Sequence, residues 1–121
     1  MARAVVTGGG RGIGASIARA LAEDGWDVVV AARSGDQVEA VAAEIGGQAV
    51  ELDVTDPASV ERAFDQIGRL DLLVANAGVA GGDLPQTLAV NVLGVHLCCR
   101  AALALGVSRI VITAIGASYL P

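Results

Sequence analysis

The residues with the clearest potential for chemistry form a turn near the amino terminus, Thr7-Gly8-Gly9-Gly10-Arg11-Gly12-Ile13-Gly14. The turn follows an apolar run and opens a helical pattern, so free backbone N–H groups and the positive end of a helix dipole meet there. A tight turn without a ligand needs one or two glycines, but five of the seven residues after Thr7 are glycine. Because glycine also lets another molecule approach the main chain closely, the pattern predicts a phosphate-binding site.

The spacing of this turn narrows the class of ligand. A Walker loop requires a lysine, and the chain contains none. A dinucleotide fingerprint can be read through Gly10, Gly12 and Ala15, which is a weak match by itself. The better match is T-G-x-x-x-G-x-G over residues 7–14, which resembles the cofactor loop of the short-chain dehydrogenase/reductase family. The resemblance implies a nicotinamide dinucleotide as cofactor.

The end of the second predicted strand bears on which dinucleotide binds. An NAD site places an acidic residue about twenty positions after the glycines, where it binds the ribose 2′-hydroxyl. This chain has Ala32 there, followed by Arg33, and Arg11 lies inside the glycine turn. Members of the family that prefer NADP carry basic residues at these two positions, so we expect NADP, with NAD as the alternative. Arg33 could instead be an ordinary solvated arginine at a strand end.

The resemblance assigns further cofactor contacts at two strand ends. Asp53 is expected to face the adenine amino group, with the backbone of Val54 beside it, although Asp53 could instead be an ordinary acid before a helix. Asn76-Ala77-Gly78 matches the family's N-A-G, whose backbone lines the cofactor ribose, while Ala75 replaces the usual preceding asparagine. The predicted cofactor-binding set is therefore Thr7, Gly8, Gly10, Arg11, Gly12, Ile13, Gly14, Arg33, Asp53, Val54, Asn76, Ala77 and Gly78.

The catalytic part of the family's pattern is largely missing. Asn91 matches V-N-x-x-G, whose asparagine orders water in a proton relay, although a satisfied core asparagine fits the same sequence. The family's serine position holds Ala114 or Ile115. Tyr119 lies too close to strand five to be the tyrosine of Tyr-x-x-x-Lys, and there is no lysine. His96 matches no motif, and no residue set is assigned to a metal.

These departures leave two interpretations. The first is the NADP-binding half of a carbonyl reductase or alcohol dehydrogenase, present as a truncated chain or fragment and nearly inert alone. The second is a dinucleotide-binding or interaction module without catalysis. The substrate, a small carbonyl or alcohol in the first interpretation, would be set by parts of the family's domain that this sequence lacks.

Strands alternating with helices predict a parallel, doubly wound Rossmann-like sheet of order 3-2-1-4-5 with helices on both faces. Its switch point lies between strands one and four, where the glycine turn and Asn76-Ala77-Gly78 meet. Ser34 and Gln37 form a predicted capping box, Asp56 a predicted N-cap, and Ile13, Ile17, Ala20 and Leu21 the predicted buried face of the first helix. The predicted strands are residues 3–7, 27–32, 49–52, 71–75 and 108–113; the predicted helices include 13–23 and 86–105.

Composition limits the remaining possibilities. At 121 residues, with 54% hydrophobic and only 2% aromatic residues, we expect a single domain, 1–121, with an aliphatic core. The net charge of −5 argues against nucleic acid and anionic membranes, and we expect no apolar run to reach the length of a membrane span. Adjacent Cys98 and Cys99 favour a reduced, cytoplasmic protein. The apolar helix Gln86–Leu105 should be buried on more than one side, and with the exposed edge of strand five it predicts a homo-oligomer.

Overall fold

The computed structural model describes residues 1–78 and 83–113. Five parallel strands form one sheet in the order β3-β2-β1-β4-β5, which confirms the predicted doubly wound topology. The strands are β1 (Arg3–Thr7), β2 (Asp27–Ala32), β3 (Gln48–Glu51), β4 (Leu72–Ala75) and β5 (Arg109–Ile112). The helices are α1 (Gly12–Glu23), α2 (Gly35–Ile45), α3 (Pro57–Ile67), α4 (Leu84–Leu88), a π-helical segment Ala89–Gly94, and α5 (Val95–Ala104).

The sheet separates two apolar layers because alternate side chains of each strand point to opposite faces. Val6, Val28 and Val30 pack on the face covered by α1 and α2. Val5 and Leu73 pack on the other face, with Phe64 of α3. Valine, leucine and alanine fill both layers, as expected for a parallel sheet covered on both sides.

Of the face predicted for the first helix, Ile17 and Leu21 pack against the core, but Ile13 and Ala20 do not. Its buried residues are Gly14, Ala15 and Ala18, whereas Ile13 is 71% exposed and Ala20 is also exposed. Small residues let α1 lie close to the sheet. They therefore take the fully buried positions, where the larger side chain of Ile13 would not fit as closely. Ile13 remains exposed in the glycine-rich segment of residues 8–14, the glycine loop.

The two predicted helix caps have different outcomes. Ser34 occupies the N-cap position of α2, but its side chain makes no capping hydrogen bond, so the predicted capping box is wrong. Asp56 does cap α3, and its Oδ1 accepts a hydrogen bond of 3.0 Å from the Ala58 N–H. Pro57 follows at the start of α3, as predicted.

The helix predicted over Gln86–Leu105 was expected to be buried on more than one side, and this is wrong for the single chain, in which the corresponding stretch is Leu84–Ala104. Cys98 and Ala102 face the core, but large apolar side chains face outward: Leu84, Leu88, Val92, Leu93 and Leu103. The stretch has 21 residues and a mean hydropathy of 1.5, so, contrary to our expectation, its length and composition would suffice to cross a membrane. That criterion is weak alone because core helices of soluble proteins also meet it.

Strand β5 forms one edge of the sheet within the described residues. Val111 and Ile112 are exposed on it, in agreement with the predicted apolar edge. Ala114 and Ile115, one of which was expected at the family's serine position, and Tyr119, judged too close to strand five to be the family's tyrosine, lie outside the described residues.

Candidate functional site

The glycine loop connects β1 to α1 and requires glycine at several positions. Gly8 has a φ of +66°, in the left-handed region that favours glycine. Gly14 approaches the loop so closely that a Cβ there would collide with the carbonyl oxygen of Gly8. The abundance of glycine predicted from the sequence is therefore explained in part by packing within the loop itself.

The amino terminus of α1 is open to a ligand. Arg11 occupies its N-cap position with an extended φ of −163°, the Arg11 side chain makes no capping hydrogen bond, and the first turn contains no acidic residue. Arg11, Gly12 and Ile13 are all exposed. The first N–H groups of a helix lack partners within the helix and carry partial positive charge, so this end of α1 suits a phosphate group.

Thr7 ties the glycine loop to the end of β4. It is 1% exposed, and its Oγ1 accepts hydrogen bonds from the backbone N–H groups of Asn76, at 3.0 Å, and Ala77, at 3.1 Å. The same hydroxyl lies 3.5 Å from the Val74 carbonyl oxygen, to which it donates. This buried hydroxyl therefore joins the end of β1 to Asn76 and Ala77, beside the glycine loop.

The Asn76 side chain extends this connection in two directions. Its Nδ2 donates to the Gly8 carbonyl oxygen at 3.4 Å. Its Oδ1 accepts from the hydroxyl of Thr113, directly after β5, at 2.9 Å. The amide thus links the glycine loop to the ends of β4 and β5. Sequence reasoning did not assign Thr113 to the site, and its only signal was a polar residue at the end of a strand.

Asp53 and Arg33 line one open pocket of about 470 Å³ beside the ends of β2 and β3. Hydrogen bonds from Thr55 to Asp53 Oδ1, at 2.7 Å from the hydroxyl and 3.0 Å from the N–H, lower the pKa of the Asp53 carboxyl. The positive charge of Arg33 acts in the same direction. Asp53 Oδ1 therefore accepts two hydrogen bonds from Thr55. Oδ2 has no hydrogen bond to the described residues and can accept one from a ligand.

Two further lining residues of this pocket were missed by sequence reasoning. Glu51 ends β3, and Arg62 lies on α3. Among residues 1–78 and 83–113, neither they nor Arg11 and Arg33 form an ion pair. Charged groups at strand ends could have signalled Glu51, but only the fold brings Arg62 to the same pocket.

The remaining predicted residues have different surroundings. Val54 is buried, and a cavity lined by Val54, Thr7 and Ala77 has no room for a water molecule. Asn91 is near Gly78, since a Cβ at Gly78 would lie 3.3 Å from its Oδ1. His96 is exposed on α5. The structure therefore brings Asn91 to the same end of the sheet as the glycine loop.

The chain belongs to the short-chain dehydrogenase family, because the family's model, described as short chain dehydrogenase, matches residues 2–118. This confirms the resemblance carried by the glycine turn. Membership, together with a similar solved structure in complex with 5-hydroxy-NADP, supports binding of a nicotinamide dinucleotide.

Individual relatives agree with the family. The chain is 39% identical to D-threitol dehydrogenase of Mycolicibacterium smegmatis over 116 residues, covering 81% of this chain and 45% of that protein. A short-chain type dehydrogenase/reductase from Mycobacterium marinum matches with a TM-score of 0.85 and 35% identity, over 93% of this chain and 55% of that one. An alcohol dehydrogenase from Thermococcus sibiricus, complexed with 5-hydroxy-NADP, matches with a TM-score of 0.80 and 36% identity, over 87% and 53%. The chain spans about half the length of the curated relatives it matches.

Proposed function

We propose that this chain is the cofactor-binding part of an NADP-preferring oxidoreductase that transfers hydride between the cofactor and a carbonyl or alcohol. The observation that carries the proposal is the open amino terminus of α1 behind the glycine loop. It offers N–H groups and partial positive charge to a pyrophosphate at the switch point of the sheet. When bound, the dinucleotide would supply the hydride donor or acceptor.

The predicted contact residues suit the other parts of such a cofactor. The uncommitted Oδ2 of Asp53 can accept a hydrogen bond from the adenine amino group, beside Val54. The backbone of Asn76-Ala77-Gly78, held by Thr7, is available to a ribose. Asn91, next to Gly78, would order water near the reacting end, which is the role that the family resemblance implies for it.

The preference for NADP rests on charge at the ribose end of the site. Ala32 offers no carboxylate to a 2′-hydroxyl, while Arg33 and Arg11 are exposed cations without ion pairs among the described residues. The complex of the Thermococcus sibiricus relative with 5-hydroxy-NADP supports the same choice. An arginine suits a phosphate well because its guanidinium forms paired hydrogen bonds with phosphate oxygens.

Calorimetric titration with NADP⁺ and NAD⁺ tests this preference. We expect tighter binding of NADP⁺, and Arg33→Asp should reverse the order by removing a cation and adding a carboxylate. Arg109→Asp is the matched control, because Arg109 is exposed at the start of β5, on the opposite edge of the parallel sheet. Equal or tighter binding of NAD⁺ by the unchanged protein would refute the preference.

An assay of turnover distinguishes an enzyme from a module that only binds nucleotide. Carbonyl reduction needs a proton donor as well as a hydride, and general acid catalysis typically contributes about 10²–10⁴-fold. With one tyrosine and no lysine, the 121-residue chain should not oxidise NADPH above the buffer blank in the presence of ketones and aldehydes. Turnover that Tyr119→Phe abolishes would show that this tyrosine is the missing acid.

We also place the protein in the cytoplasm and propose that it forms a homo-oligomer through the outer face of the stretch Leu84–Ala104. Several large apolar side chains there are exposed, with Leu103 at 62%. Several large exposed apolar side chains on one stretch favour association. Leu93→Glu, at an exposed position, should dissociate the oligomer in sedimentation at micromolar concentration, whereas Ala43→Glu on α2 should not. A single species near 12.1 kDa for the unchanged chain would refute self-association. Leu97 is a poorer test because it packs against the core.

A further inference from the structure

We propose that Glu51 is a cofactor-selecting residue whose carboxylate favours a free ribose 2′-hydroxyl and disfavours a 2′-phosphate. The inference rests on the proposed function, because it concerns the adenosine end of the same site. It assigns to β3 the acidic group that dinucleotide sites usually carry at the end of β2.

The register of the sheet brings this carboxylate to the required place. Glu51 is the pairing partner of Ala32 in the parallel β2–β3 ladder. Paired residues of adjacent parallel strands project to the same face of the sheet. This is the face that carries α1 and α2, because Ala32 and Ala49 both pack in that layer. A carboxylate therefore stands one strand away from the position where the fold normally has one.

The carboxylate of Glu51 also reaches the turn that follows β2. A Cβ on Gly35, the first residue of α2, would collide with Glu51 Oε1. The same side chain lines the open pocket shared by Arg33 and Asp53. Among the described residues, Glu51 makes no hydrogen bond and no ion pair, so both of its oxygens are available to a ligand hydroxyl.

Glu51 and the two arginines therefore act in opposite directions on the ribose. Arg33 and Arg11 attract a 2′-phosphate, whereas Glu51 repels it and can accept a hydrogen bond from an unmodified 2′-hydroxyl. The preference for NADP should consequently be smaller than two unopposed cations would give. Hydrogen bonds to a charged group contribute enough that losing one changes affinity by about tenfold.

The test compares Glu51→Gln with the unchanged protein. Calorimetry measures affinity for NADP⁺ and NAD⁺, and for the pair adenosine 2′,5′-bisphosphate and AMP, which differ only in the 2′-phosphate. We expect Glu51→Gln to bind the 2′-phosphorylated ligand of each pair more tightly and the other more weakly, changing their affinity ratio by about tenfold or more. Glu39→Gln is the matched control, since Glu39 is an exposed carboxylate of α2 that does not line the pocket.

The possible results separate this inference from the proposed function. If the unchanged protein binds the nucleotides and Glu51→Gln leaves the ratio within about twofold, the role of Glu51 is refuted and the proposed function stands. An equal change in Glu39→Gln would also refute it, because the effect would then be one of net charge. If the unchanged protein binds neither nucleotide, both proposals fail. Thermal unfolding of Glu51→Gln and Glu39→Gln checks that neither substitution, each at an exposed position, has changed the fold.

Discussion

Replacing Thr7 by valine tests how the glycine loop is held to β4. Valine keeps the shape of threonine but removes the hydroxyl that accepts hydrogen bonds from the N–H groups of Asn76 and Ala77. The cavity beside Thr7 has no room for a water molecule that could replace it. Leaving one buried N–H donor unsatisfied costs about 1–3 kcal/mol in the free energy of unfolding. Because Asn76 and Ala77 are only half-buried, we take the low end of this range for each donor, which gives about 2–3 kcal/mol for the two. The additional buried methyl offsets less than about 1 kcal/mol.

The expected net loss for Thr7→Val is therefore about 2 kcal/mol in the free energy of unfolding, measured by urea denaturation. Thr7→Ser is the control, since it keeps the hydroxyl and loses one methyl group, at a cost of about 1 kcal/mol. NADP⁺ affinity should fall in the valine variant and be largely kept in the serine variant, because only the valine variant loses the hydrogen bonds that hold Asn76 and Ala77. If valine is tolerated as well as serine in both measurements, the hydroxyl does not organise the site.

Three other predictions concern single side chains. Gly14→Ala should lower the free energy of unfolding by about 1–3 kcal/mol, because its Cβ collides with a loop carbonyl oxygen; unchanged stability would contradict this. Burial raises the pKa of the Cys98 thiol to about 12 and raises that of Cys99. Since the thiolate is the reactive form, iodoacetamide at pH 8 should modify the native chain slowly, and at Cys99 first; rapid labelling of both cysteines would contradict the burial. Because Thr55 lowers the pKa of Asp53, the carboxylate stabilises the fold fully above its unfolded pKa of about 3.9 and progressively less as pH falls through its folded pKa. Asp53→Asn should flatten that part of the pH–stability curve, and an unchanged curve would exclude this contribution.

The order of the strands and the place of the glycine loop could be predicted from the sequence because both depend on local patterns. Valine-rich runs alternate with helical segments, and the loop has its own spacing. The ends of the elements were predicted less accurately. The third strand was predicted to reach Leu52 but ends at Glu51, although the Leu52 N–H still donates to the Ala32 carbonyl oxygen. Strand boundaries depend on how far pairing continues, which apolar patterns define only approximately.

The features that escaped prediction depend on residues distant in the chain. Thr113 joins the site through an amide 37 positions away, and Glu51 enters it through its register with Ala32. The buried face of α1 was predicted only in part: Ile17 and Leu21 do pack against the core, but the fully buried positions hold small residues, because the helix lies close to the sheet there. The burial of the stretch Leu84–Ala104 was also predicted wrongly for the single chain. An apolar sequence indicates that a surface tends to be buried, but it does not show whether the chain itself or another molecule buries it.

The pairing of β1 with β4 has a consequence for how the protein reaches its native state. Val5 lies opposite Leu73, and the strands between them are arranged on the other side of β1. Joining strands so far apart in the chain requires loop-closure entropy to be lost before the contacts form, which slows folding. Thr7 can hold the N–H groups of Asn76 and Ala77 only after this step. Nucleotide added during refolding should therefore trap molecules that have already joined β1 to β4, and recovery of binding should follow the slowest folding phase.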